Sequence, residues 1–119
     1  MVFFVRARYY FSYAESLLKE VQSGTRLLTP SLALDIFSLG LKAIYALEVA
    51  KPEDQKPSLE ELVQRVSASV SPSLKRLMFE LKDELKGLSP EDIAQKQAII
   101  LEKLSEYLML VKEELKPIL

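Results

Sequence analysis

The chain has no cysteine and no histidine in its 119 residues, and no tryptophan or asparagine either. Without cysteine there can be no disulfide, thiolate metal site or cysteine nucleophile, and a disulfide-dependent secreted module is excluded. Without histidine the commonest general base is missing, as is the commonest transition-metal ligand, including the Glu-x-x-His pairs of di-iron bundles. Glycine is scarce, with only three residues, so no glycine-rich phosphate loop and no dinucleotide fingerprint can be formed. Charge is balanced: 16 Lys and Arg face 17 Asp and Glu, a net of -1, and no global basic field draws the chain to nucleic acid or anionic lipid. Lys and Glu dominate the charged set, a bias that resembles proteins of thermophiles.

What is present is hydrophobic, at 49%, and punctuated for helices. The length suits one domain over residues 1–119, large enough to bury roughly two thirds of its unfolded surface without staples. Met1 to Val5 is apolar but has no preceding basic region and runs into Arg6 and Arg8, so it is not read as a signal peptide. Phe3, Ala7, Tyr10, Ala14, Leu17 and Val21 recur at steps of four and three, which predicts a first helix ending at Gly24. Thr29-Pro30 opens a second helix, to about Lys51, whose polar residues form only a narrow stripe of Ser31, Asp35, Ser38 and Lys42. Such a helix is expected to be central, with neighbours on several faces.

It is not expected to span a membrane, because Asp35 and Lys42 near its middle would each cost about 2.5–3.5 kcal/mol. Gly40 in its interior sacrifices about 1 kcal/mol of helix propensity, and either close approach of another helix or simple tolerance would account for it. After a linker from Lys51 to Pro57, Ser58 and Glu61 have capping-box spacing ahead of a short third helix. Ser71-Pro72 opens a fourth, ending near Gly87, and Ser89-Pro90 a fifth that runs to about Lys116. The expected fold is all-α: an up-and-down bundle of about five helices, three long and two short.

Several of these segments resemble the HEPN family, the helical higher eukaryotes and prokaryotes nucleotide-binding domain. The resemblance covers most of the chain. Lys42-Ala43-Ile44, Leu47 and Ala50-Lys51 are followed by the proline-bearing linker and by Ser58-Leu59-Glu60-Glu61-Leu62. A last helix opens at Ser89 to Asp92 and continues through Ala94, Ala98, Leu101, Leu104 and Val111. The family's ribonucleases use an Arg-x4-6-His motif, and the linker position that often holds histidine is Pro57 here. The resemblance therefore implies a non-cleaving relative, with no catalytic role for Arg65 or Arg76. It also implies a homodimer and, as HEPN domains often accompany one, a nucleotidyltransferase-like partner protein.

Six of the ten aromatics, Phe3, Phe4, Tyr9, Tyr10, Phe11 and Tyr13, crowd the first helix beside Arg6 and Arg8. Arg6, Arg8, Tyr9 and Tyr13 are the candidate ligand-binding residues, since rings can stack bases and guanidinium groups can hold phosphates. The competing reading places Phe3 and Tyr10 in the core and lays the tyrosine side against a partner helix. The neutral net charge favours that reading over nucleic acid. Glu80, Asp83 and Glu84 on the fourth helix could share a hard cation, but Lys75, Arg76, Lys82 and Lys86 intersperse them as on a solvated face. No metal and no cofactor is assigned. The sequence thus reads as a cytoplasmic protein that is not an enzyme and acts by self-association and partner binding.

Overall fold

The computed structural model describes the backbone of residues 2–48 and 57–118, and the side chains of 5–47 and 57–117. Five helices follow in order: α1 (Val2–Gln22), α2 (Pro30–Glu48), α3 (Leu59–Ser67), α4 (Pro72–Lys86) and α5 (Pro90–Leu115), with a last 3₁₀ turn at Lys116–Ile118. No strand is found among the described residues. The end of the second helix beyond Glu48, most of the Lys51–Pro57 linker and the side chains of Phe3 and Phe4 lie outside the described residues.

Local chemistry sets the helix boundaries. Gly24 adopts φ 83°, and its N–H bonds the Val21 carbonyl while Thr25 N–H bonds that of Glu20; this Schellman arrangement satisfies the last carbonyls of α1. At the helix starts, hydroxyl oxygens accept freed backbone N–H groups: Thr29 from Leu32 at 3.0 Å, Ser58 from Glu61 at 3.2 Å, and Ser71 from Leu74 at 3.4 Å. Ser89 accepts from Asp92 N–H at 3.1 Å, and Asp92 Oδ2 accepts Ser89 N–H at 3.1 Å, closing a full capping box.

Ser89→Ala should cost about 1 kcal/mol, the usual loss for an N-cap hydroxyl. The hydrogen bond from Ser89 N–H, with help from the Ser89 hydroxyl, holds the Asp92 carboxyl below its ordinary 3.8. A folded-state pKa below the unfolded one adds stability above pH 3.8 that is lost as pH falls through the folded value. Urea midpoints of Asp92→Ala and the parent should therefore differ at neutral pH and converge under acid. A gap of constant size would show that the carboxylate is not the stabilising species.

Helix α2 packs against each of the other four helices, as its apolar breadth requires. Ile36, Phe37, Leu41 and Ala43 are wholly buried, while Ser31, Asp35 and Lys42 of its polar stripe face solvent. Pro30–Leu47 has the length and composition of a membrane span, yet 56% of it is buried within the bundle, as in a core helix. Gly40 faces the Tyr107 side chain of α5. A Cβ there would lie 2.6 Å from the Tyr107 hydroxyl and 2.7 Å from its ring, so close approach is the reason for the glycine. Tyr107 is itself wholly buried; its hydroxyl donates to the Phe37 carbonyl at 2.8 Å and its ring centre lies 5.1 Å from that of Phe37.

Contacts between side chains fix the helix directions. Glu114 near the end of α5 accepts Ser71 N–H at the start of α4 at 2.9 Å, and Lys103 bonds Glu84, so α4 and α5 are antiparallel. Lys86 at the end of α4 bonds Glu60 at the start of α3 at 2.6 Å, making that pair antiparallel too. Alternation is interrupted between α2 and α3. Leu34, early in α2, shares a depression with Leu59, while Tyr45, late in α2, is bonded by Arg65, late in α3. The two helices therefore run in the same sense.

Candidate association face on helix α1

The inner seam of α1 is Ala7, Phe11, Ala14, Leu17, Leu18 and Val21, buried against α2 and α5. The expected stripe is right at Ala7, Ala14, Leu17 and Val21 and off at one turn: Phe11 is buried, and Tyr10 is only half-buried. Two neighbours cause the shift. A helix held by both α2 and α5 buries a wider arc than a single stripe, and the seam swings toward Phe11 and Leu18. The tyrosine ring rests instead at the seam margin, edge-on to Tyr9 with ring centres 5.9 Å apart.

On the opposite side Val5, Tyr9 and Tyr13 are exposed at 61%, 61% and 46%, an unusual concentration of apolar surface on one helix face. Their spacing of four residues stacks them along that face. The Tyr9 and Tyr13 rings lie 6.1 Å apart at 54°, and with Ser12 and Ser16 they line one shallow depression. The serines are the part that sequence reasoning missed. The signal was available, for two serines four residues apart interleave two tyrosines four residues apart.

The four candidate ligand residues are only partly brought together. Arg6 is half-buried on the Tyr13 side of the face, whereas Arg8 is exposed and lies about 200° from Arg6 around a helix of 3.6 residues per turn. The two guanidinium groups therefore diverge and do not form a single phosphate clamp with the tyrosines. Elsewhere, Arg65 donates to the Tyr45 hydroxyl at 2.7 Å and lies 5.6 Å from its ring centre, tying α3 to α2. On α4, Glu84 bonds Lys103, and no group of three acidic side chains able to hold a metal ion occurs among the described residues. Comparison with known proteins finds no matching family model, curated protein or solved structure.

Proposed function

We propose that this chain is a non-catalytic association module, a divergent relative of HEPN domains, which pairs with a second copy through the outer face of α1. The observation that carries this reading is the contrast across one helix: a fully packed seam on one side, and exposed Val5, Tyr9 and Tyr13 along the other. Covering those side chains removes apolar area from water, worth about 25 cal/mol per Å² before the costs of association. Tyrosine suits such a face because it offers a large contact area with only two rotatable bonds to order. The missing imidazole and thiol groups support binding over bond-breaking, since no side chain here has an ordinary pKa between 5 and 8. Diverging guanidinium groups and a net charge of -1 count against phosphate recognition by the same helix.

Sedimentation at micromolar concentration tests the reading. The parent should sediment at twice the 13.5 kDa chain mass, and Tyr9→Glu with Tyr13→Glu should sediment at 13.5 kDa with its helicity intact. A parent that stays at 13.5 kDa would overturn self-association. The variant pair Arg6→Glu with Arg8→Glu tests the rival: unchanged mass with loss of RNA or nucleotide binding would assign the face to a ligand.

A further inference from the structure

We infer that the two α1 helices of the pair lie antiparallel, about a two-fold axis that passes midway between Ser12 and Tyr13. The inference rests on the self-association reading and adds its register. Counting outward from that axis, Tyr9 lies opposite Ser16 of the partner subunit, so the Tyr9 ring meets a side chain small enough to leave it room. Around the axis, at 100° per residue, Tyr13 and Ser12 lean to opposite sides of the face. The two Tyr13 rings then meet on one side of the axis, in reach of an aromatic contact, and the two Ser12 hydroxyls meet on the other. Serines at the crossing allow the helix axes to approach to about 8 Å, the near end of the usual range.

Charge selects the same orientation. Arg6 and Arg8 are the only charged residues of α1 before Ala14, while Glu15, Lys19 and Glu20 follow it, a net of one negative charge. A parallel pair would set the arginines of one copy beside those of the other. In the antiparallel register Arg6 falls within one residue of the partner's Glu20, on the same side of the face, whereas Arg8 lies two residues from both the partner's Glu15 and the partner's Lys19, so the Arg6 pair carries the preference. Glu20 also binds Arg26 at 2.6 Å through Oε2. The macrodipoles of two antiparallel helices oppose each other, which is favourable as well.

The absence of cysteine makes a disulfide test free of background. Single variants Ser12→Cys and Ser16→Cys are oxidised and run without reductant. Ser12→Cys should cross-link to itself at least about tenfold more than Ser16→Cys, because a disulfide needs Cβ atoms about 4 Å apart and the two Ser16 positions are separated by about two helical turns. A mixture of Tyr9→Cys and Ser16→Cys chains should form the mixed dimer. Equal self-linking of Ser12→Cys and Ser16→Cys means a parallel pair and overturns the register. No link from either in a protein that sediments as a dimer places the interface on another face. A monomeric parent removes the self-association reading itself.

Discussion

Tyr107→Ala should be the most damaging single substitution in the bundle, lowering stability by about 4 kcal/mol, within the range for deleting a buried aromatic ring. On a domain of this size that is a fall in Tm of about 15 °C. Three losses combine: the ring leaves a cavity at the wholly buried centre, Phe37 loses its 5.1 Å neighbour, and the bond to the Phe37 carbonyl disappears. Tyr107→Phe isolates the last of these and should cost only about 1 kcal/mol. The two variants also separate by pH. Burial raises the Tyr107 phenol well above its ordinary 10.0, so at high pH the unfolded chain gives up a proton that the folded chain keeps. Stability is therefore lost as pH rises above 10, and Tyr107→Phe should flatten that alkaline limb. Equal melting of all three proteins would contradict a packed Tyr107.

Gly40→Ala should also destabilise, although alanine is the better helix former. The gain is about 1 kcal/mol, and overpacking a close-packed site costs about 1–3 kcal/mol. With the Tyr107 hydroxyl and ring atoms 2.6 to 2.9 Å from the new Cβ the upper part of that range applies, and the net loss should be about 1–2 kcal/mol. The sign should reverse when Tyr107 is alanine. In that background the new methyl group enters vacated space, helix propensity acts unopposed, and Gly40→Ala should stabilise by up to about 1 kcal/mol. Chemical denaturation of the four proteins of this cycle measures both effects. Destabilisation of the same size in both backgrounds would mean that the ring is not what excludes a side chain at position 40.

Helix limits were readable because they depend on neighbours a few residues away. Thr29, Ser58, Ser71 and Ser89 each cap the helix that follows, and Gly24 ends α1 in a left-handed conformation. Centrality of α2 was readable as well, since a helix with so narrow a polar stripe has to be covered on several sides. Distant partners were not. Gly40 leaves two explanations open until Tyr107, 67 positions further on, is seen against it. Tyr10 and Phe11 are equally apolar and adjacent, so their order of burial depends on where α5 lies relative to α1. The shared direction of α2 and α3 depends on how the chain passes between them, which a capping signal cannot encode.

At the candidate face, the tyrosine cluster was evident from composition, whereas Arg6 and Arg8 were grouped with it although two positions on a helix turn them about 200° from each other. The serines between the rings carry little signal of their own: serine is commonplace on a solvated helix, and its small size matters only beside a bulky neighbour that needs room.

Because α2 touches every other helix, the molecule has a hub and no removable edge. Shedding α1 or α5 would bare the hub's own side chains to water, so partial opening is penalised from whichever end it begins. Heat or denaturant should consequently meet one cooperative transition, and a pairing face carried on α1 stays rigid for as long as the hub is intact.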